Sequence, residues 1–336
     1  MYLFILLAVV LLLGALIRPR NQSIYLLCSY LILLFLSAFR DISVGTDTES
    51  YEAIFHQIVN YNNEVLRVEY GWIFLNEIIL FLGFDFRGVI VLSSFLILTL
   101  VFLVVKKYSY NPMLSISLFY LLYFYFFSFN ITRQLIAVSI VLIGIVLILR
   151  GKKNLFFLSV ILASIFHQSA LIALIILFFN KITNKKSFLI LYIIISMVLG
   201  LFGANLISKI IDYTGYGYYV ENYNNNSFLG NSFLLILFNS FFIYLIFCIR
   251  EISGEFKIFY FFIIMLNLTI LIPFGSRFIL YFSIYQILFF PYFIYSISQN
   301  NNVKLLSVLI VLLYSFLIFL TSIGGGNILP YSNIFF

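Results

Sequence analysis

The chain has 336 residues, of which 64% are hydrophobic and only 9% are charged, and its mean hydropathy is +1.14. Soluble domains carry charge on about a quarter of their residues, and a folded chain of this size cannot hide so much apolar surface from water. Composition therefore excludes a soluble enzyme, a nucleic-acid-binding domain, a disulfide scaffold and a protein with a single membrane anchor. It predicts an all-α polytopic integral membrane protein, a single transmembrane domain over 1–336.

The net charge of +7 does not indicate a nucleic-acid partner, because the basic residues are scattered singly and in pairs between apolar runs. Cys28 and Cys248 both lie inside apolar runs, so we interpret them as small core residues without a metal or disulfide role.

Apolar runs broken by charges predict about 10–12 transmembrane helices. The first run reads as a spanning helix rather than a cleavable signal, because it lacks a basic start and a small-residue cleavage site. The predicted helices are 2–17, 24–39, 88–105, 112–129, 131–149, 187–203, 231–249, 257–273, 277–296 and 303–322.

The region 40–87 is predicted to be an extracytoplasmic loop, because it holds eight of the twelve acidic residues. Within it, the apolar run 70–83 contains Glu77 and would be ~21 Å long as a helix, short of a ~30 Å hydrocarbon core. We expect an interfacial or re-entrant helix here. The alternative is a short tilted span, which would invert the orientation of everything before it.

The run 154–180 is either one long helix or a short helical hairpin around His167. Lysine and arginine prefer cytoplasmic loops, and the hairpin places thirteen of the nineteen basic residues inside. A single span would move three lysines outside, so the hairpin is preferred. In this topology the six outer basic residues are mostly arginine, whose planar fork of donors suits phosphate and carboxylate. They are Arg40, Arg67, Arg87, Arg133, Lys209 and Arg277.

Arg133 and Arg277 are the strongest candidates for a functional site. Arg133 lies between two apolar runs, where a charge needs a partner or ligand. Arg277 follows Pro273 and Gly275 in the first turn of a predicted helix, where a cation opposes the helix dipole and a bound anion would remove that conflict. For both, the alternative is an anchor at the membrane interface.

Arg40 ends the second predicted helix, and Asp41 could simply pair with it. The following turn contains Asp47 and leads into a helix with Glu49 in its first turn, which an ordinary N-cap would also explain. His167 faces outward at the depth of the two arginines, although a lone histidine is often a packed residue. With two histidines in the chain we expect no transition-metal site.

The polar, tyrosine-rich segment 204–230 is predicted to be a second extracytoplasmic loop, with its tyrosines anchored at the interface or stacked on sugar rings. The glycines at 324–326 and the tail through Phe336 are expected to form a flexible outer end.

Five stretches occur in the order found in the EpsG-like, Wzy-type bacterial polysaccharide polymerases, and the chain resembles that family from Phe39 to Tyr285. The arginine–glutamine step and the Phe-His-Gln-Ser-Ala-Leu stretch are the more specific parts. The five stretches are FRDISVGTDTESYEAIF, EYGWIFLNEIILFLG, FYFFSFNITRQLIAVSI, LASIFHQSALIAL and SRFILYFSIYQ.

The resemblance implies a multi-pass enzyme of the bacterial plasma membrane, with its active site facing the periplasm or cell exterior. It would join oligosaccharide repeat units carried on undecaprenyl diphosphate, with no cofactor, and with membrane lipid, a flippase and a chain-length regulator as further partners. Arginines would stabilise the leaving diphosphate, and a base would take the proton of the attacking hydroxyl. The residues expected to bind the diphosphate are Arg40, Arg133 and Arg277. His167 and Asp47 are preferred over Glu49 as the base. The residues expected to bind the acceptor are Glu49, Tyr51 and Tyr281.

Three rivals are weighed. A flippase is disfavoured because no internal repeat relates the two halves and the charged residues concentrate on one face. A membrane acyltransferase is disfavoured because no cytoplasm-facing histidine or acid pair is found. A glycan ligase would use almost the same chemistry, and only the resemblance separates it from a polymerase.

Overall fold

The computed structural model describes the chain except residues 18–20, 61–67, 213–227, 270–274, 298–300 and 336, with the backbone alone for 204–212, 228–234 and 276. Over these residues the chain is helical and has no β-strand, so the prediction of an all-α protein is confirmed. The elements are α1 (Tyr2–Ile17), α2 (Gln22–Ala38), α3 (Thr48–Asn60), α4 (Tyr70–Phe81), α5 (Phe86–Tyr108), α6 (Pro112–Leu121), α7 (Phe124–Asn130), α8 (Thr132–Leu149), α9 (Lys153–Phe166), a 3₁₀ helix (Gln168–Lys181), α10 (Lys186–Asp212), α11 (Phe228–Cys248), α12 (Gly254–Thr269), α13 (Gly275–Ser283), α14 (Gln286–Ser296) and α15 (Asn301–Ser322).

Among the described residues, five segments are long and apolar enough to cross a membrane, and the bent pair α6–α7 makes a sixth. Shorter apolar helices of 10–17 residues accompany them. The protein is therefore a polytopic membrane protein. The five segments are Phe86–Tyr108, Thr132–Leu149, Lys186–Gly203, Arg277–Ser296 and Asn301–Ser322.

Helices α6 and α8 form the centre of the bundle. All residues of α6 after Pro112 are buried, and α1, α5, α14 and α15 pack around it. The α6–α7 junction is filled with aromatic rings, among them Tyr120, Tyr125 and Phe126, none of which is exposed. Helices α10 and α15 lie at the periphery and expose leucine and isoleucine side chains, as lipid-facing helices do.

The predicted span 112–129 was wrong as a single helix, because the chain bends by 48° between α6 and α7. Tyr123 adopts a left-handed conformation at the break, with φ of 70°. Its hydroxyl donates to the carbonyl of Gly325 at 3.2 Å, and its ring stacks on Phe126. No glycine or proline marks this position, so only tertiary contacts explain it. The predicted span 277–296 is confirmed as one membrane-crossing segment, although its helix is interrupted between α13 and α14.

The predicted hairpin around His167 is present. Helix α9 ends at Phe166, His167 is extended with φ of −158° and ψ of 115°, and the 3₁₀ helix returns against α9. Gly144 of α8 lets α9 approach closely, since a Cβ atom there would lie 2.1 Å from the Ser159 hydroxyl. The tip with His167 is thereby held against the bundle centre.

Of the predicted outer loop 40–87, α3 and α4 are helical, and α4 would be ~18 Å long. Of the predicted loop 204–230, residues 204–212 extend α10 and residues 228–230 begin α11. The tyrosine-rich part of that loop lies outside the described residues.

The expectation of a flexible tail was wrong for the described residues after α15. Ser332 accepts a hydrogen bond from the Asp41 backbone N–H at 3.0 Å, Asn327 accepts one from Gly45 at 3.0 Å, and Ile334 donates to Phe39 at 3.1 Å. We call these paired segments, 39–45 and 327–334, the tail clasp. It ties the chain's last described segment to the loop after α2.

Candidate functional site

Glu69 binds an arginine and a histidine at the same time. Its Oε2 accepts a hydrogen bond from Arg133 Nη1 at 2.5 Å, and its Oε1 lies 2.8 Å from His167 Nδ1. The three side chains are 15%, 23% and 19% exposed, respectively. We call these three residues the Glu69 cluster. It brings two sequence-predicted residues together through a third that was not predicted.

Local structure explains why these residues meet. Glu69 is the N-cap residue of α4, but its side chain makes no capping bond and turns toward the cluster. Gly71 allows the start of α4 to touch the hairpin tip, since a Cβ atom there would lie 2.9 Å from the Ile165 carbonyl. Arg133 lies in the first turn of α8, where the helix dipole disfavours a cation, and the Glu69 carboxylate offsets that cost.

The charges of the cluster reinforce one another. Burial raises the pKa of the Glu69 carboxyl, but hydrogen bonding to His167 and the charge of Arg133 outweigh burial and hold that pKa below its ordinary value. Glu69 is therefore a carboxylate at neutral pH and can only accept hydrogen bonds. His167 Nδ1 must then carry the proton, so the neutral imidazole has its lone pair on Nε2.

Arg133 has a second contact on its other side. Its guanidinium lies 5.4 Å from the ring centroid of Tyr51, and that ring packs on Trp72 at 4.8 Å. Arg133 Nε is buried without a hydrogen-bond partner among the described residues. The arginine is thus held in place by charge and ring contacts while part of its donor capacity is unused.

The start of α13 lies beside the cluster. Gln134, the residue after Arg133, donates from Nε2 to the Arg277 backbone carbonyl at 2.5 Å. The Tyr281 hydroxyl lies 2.9 Å from the Ser169 hydroxyl, on the segment that follows His167. Arg277 itself is exposed, whereas Tyr281 is fully buried. The arginine can meet a ligand, and the tyrosine supports the hairpin.

The loop with Asp47 is held by Asn130 at the end of α7. Asn130 Oδ1 accepts from the Thr46 backbone N–H at 2.7 Å, and Gly45 adopts φ of 104° beside the Phe129 carbonyl. Asp47 is partly exposed and Glu49 is exposed. The loop therefore lies against the α7–α8 junction. Arg133 follows that junction directly in the sequence.

Arg40 has a different environment from the other candidates. It is 2% exposed, donates to the Ser37 carbonyl at 2.6 Å, and lies 4.9 Å from the Phe129 ring centroid. Burial lowers the pKa of Arg40 to about 10, so the guanidinium still carries its charge at neutral pH. Arg40 is thus packed inside the protein and is separate from the Glu69 cluster.

Sequence reasoning counted Glu69 among the outer acids but did not select it. The signal was present, because Glu69 directly precedes an apolar helix and begins one of the five family-like stretches. An acid at such a boundary needs a partner or ligand as much as an arginine does.

A sequence model described as the EpsG family matches residues 23–333. The chain belongs to the EpsG family. EpsG is a Wzy-like polysaccharide polymerase family, so this EpsG-family protein has a function of the polysaccharide-polymerase type. Neither the comparison with curated proteins nor the comparison with solved structures found a match. The matched range contains all three residues of the Glu69 cluster and most of the tail clasp.

Proposed function

We propose that this EpsG-family protein joins oligosaccharide repeat units carried on undecaprenyl diphosphate, at the outer face of the bacterial plasma membrane. The observation that supports this most directly is the Glu69 cluster, in which one carboxylate holds an arginine and a histidine side by side, partly exposed. Glycosyl transfer from a lipid diphosphate needs a cation for the leaving group and a base for the attacking hydroxyl.

In the proposed reaction, Arg133 and Arg277 stabilise the charge that develops on the departing diphosphate. His167 Nε2 takes the proton from a hydroxyl of the acceptor unit, with Asp47 as the alternative base. The bond between the anomeric carbon and the diphosphate oxygen breaks while the new glycosidic bond forms. The growing chain is then on the incoming unit, and the lipid diphosphate leaves.

Glu69 orients both groups and keeps His167 in the tautomer that leaves Nε2 unprotonated, as a buried carboxylate does for the histidine of a hydrolase triad. We therefore propose Glu69 as a positioning residue for both the base and the cation. Repeat units would be supplied by a flippase, and a chain-length regulator would act on the product.

The test is a glycan ladder from a host in which the gene is deleted and then restored. Wild-type protein should restore long chains, whereas Glu69→Gln, Arg133→Ala and His167→Ala should leave single repeats on lipid or terminal acceptor. Glu52→Gln and His56→Ala are matched controls, because both residues lie on α3 outside the cluster, and both should restore the full ladder.

Other ladders would contradict the proposal. Repeats that accumulate on the cytoplasmic side, with nothing exposed, would identify a flippase. Long ladders on lipid that never reach a terminal acceptor would identify a ligase. Normal ladders from the three cluster variants, at wild-type protein levels, would remove the cluster from the site.

A further inference from the structure

A cavity of about 490 Å³ lies between the end of α2, the α4–α5 turn and the tail. Three of its lining residues are charged, namely Arg40, Asp85 and Arg87, and most of the others are apolar. From Arg87 to Phe95 the lining follows α5 for nine residues, a rise of ~12 Å along the helix. The apolar lining includes Leu34, Ala38, Ile79, Val91, Phe95 and Ile334.

The charged residues gather at one end of this cavity. Helices α2 and α5 run antiparallel, since Ser37 donates to Ser94 at 2.8 Å and Tyr30 meets Thr99 at 2.9 Å. The carboxyl end of α2, which leads to Arg40, and the amino end of α5 with Arg87 therefore lie together. The cavity is therefore complementary to an anionic amphiphile, because it has arginines at one end and an apolar channel along the rest.

The two arginines at this end differ in exposure, since Arg40 is buried at the cavity wall and Arg87 is partly exposed. Arg40 Nε is buried and has no hydrogen-bond partner among the described residues. The Arg87 guanidinium is partly exposed and interacts electrostatically with the Asp41 carboxylate. The two nearby acids are already bonded, Asp85 to the Arg87 backbone N–H and Asp41 to Ser43. Arginines at the mouth of a pocket between helices suit a lipid phosphate.

A second groove, of about 430 Å³ between α1 and α2, serves as a comparison. Its lining is entirely apolar and contains no cation, as expected of a surface that faces ordinary lipid chains. Apolar shape alone therefore does not distinguish the larger cavity. The two arginines do.

The proposed reaction uses two lipid-linked substrates, and only the donor releases its diphosphate at the reaction centre. The acceptor's attacking hydroxyl is at the far end of its glycan, so the acceptor diphosphate must bind outside the site that holds the donor diphosphate. Arg40 borders the cavity and interacts electrostatically with Tyr51, whose ring lies under Arg133. The cavity is thus next to the Glu69 cluster but separate from it.

Resting on the proposed function, we infer that this cavity binds the lipid end of the acceptor unit. The isoprenoid chain lies in the apolar channel and the diphosphate meets Arg87 and Arg40. Arg87 is the residue that distinguishes this site from the donor site, because within the described part of the chain no ion pair joins it to Glu69, Arg133 or His167.

The experiment uses the full chain in lipid nanodiscs with a lipid-linked donor and two acceptors, the lipid-linked repeat unit and the same repeat unit without lipid. Arg87→Ala removes the cation, and Val91→Trp fills the channel. Val10→Trp fills the apolar groove as a control. We expect both cavity variants to raise the KM for the lipid-linked acceptor about tenfold, and to leave transfer to the lipid-free acceptor and all Val10→Trp rates unchanged.

Equal losses with both acceptors, or no loss with either, would overturn the inference. Binding of undecaprenyl diphosphate is measured separately and keeps the test independent of catalysis. Loss of that binding in Arg87→Ala but not in Glu69→Gln would support the cavity assignment, whatever the transfer rates are. Absence of transfer by the wild-type protein would refute the proposed function and leave the binding result to decide the cavity. Equal competition by phosphatidylglycerol would make the cavity a phospholipid site and overturn the assignment.

Discussion

The Glu69 cluster and the tail clasp both join segments that are far apart in sequence, but they do so by different bonds. The cluster is made of charged side chains that are partly exposed. The clasp is made of backbone hydrogen bonds, and Arg40 within it is buried. Side-chain bonds at an accessible site can be exchanged for bonds to substrate, whereas backbone bonds fix the shape of a loop. We therefore expect the cluster to determine activity and the clasp to determine stability.

The largest expected effect is on activity in the cluster. Glu69→Ala should lower the rate of glycosyl transfer by about 10²–10³-fold, because it releases both Arg133 and His167. The double variant Glu69→Ala/His167→Ala should be little worse than Glu69→Ala alone, since residues that act as a unit are not additive. Rates with a purified lipid-linked substrate measure this, and fully additive losses would separate the two residues.

The tail clasp should show the opposite result. Deleting residues 327–336 removes the hydrogen bonds of Asp41, Gly45 and Phe39 to the tail, and that of Tyr331 to the Leu36 carbonyl. We expect a loss of about 2–4 kcal/mol of stability, seen as a lower melting temperature in detergent. Below that temperature, transfer should fall much less than in Glu69→Ala. A truncated protein with unchanged melting but no activity would reverse the comparison.

A smaller loss of stability is expected from a single methyl group in the loop. Gly45→Ala places a Cβ atom 2.3 Å from the Phe129 carbonyl, at φ of 104°. This should cost about 1–3 kcal/mol. Gly324→Ala is the control, because nothing lies within 4 Å of its Cβ position. Similar melting temperatures for the two variants would show that the loop can move away at no cost.

The smallest effect is on pH dependence. Because the pKa of Glu69 is lowered in the folded protein, its contribution to stability is fully present above the ordinary value of 4.5 and is lost as pH falls through the folded value. The melting temperature of wild type minus that of Glu69→Gln should be flat from neutral pH down to 4.5 and shrink only below it. A difference that disappears between pH 7 and pH 5 would mean that the carboxylate is not stabilised by its partners.

Much of the fold could be predicted from local pattern. Apolar runs and charge breaks predicted the helices, and the charge rule predicted the hairpin at His167, because burial in lipid restricts charged residues to loops and sites. The break at Tyr123 could not be predicted, since no local signal precedes it and a distant carbonyl of Gly325 binds its hydroxyl.

The site was predictable only in part. Arg133, Arg277 and His167 were expected at one depth, and the structure brings Arg133 and His167 to one carboxylate, with the Arg277 backbone beside them. Glu69 was one acid among eight in its region, and although its position before an apolar helix set it apart, the sequence did not show which residues it would bind. Arg40 resembled the other outer arginines in sequence, but its burial against Phe129 gives it another environment.

The sequence by itself determined that this is a polytopic membrane protein. Each residue's preference for lipid or water is a local property, so composition and the spacing of charges are enough to show it. The tertiary structure alone decided which charges become partners. Glu69 and Arg133 are more than sixty residues apart in sequence, and Arg133 and His167 are more than thirty apart. Only the packing of α4, α8 and the hairpin brings their side chains within hydrogen-bonding distance. Electrostatic and hydrogen-bond energies fall steeply with distance, so a site built from such contacts exists only once the helices have packed.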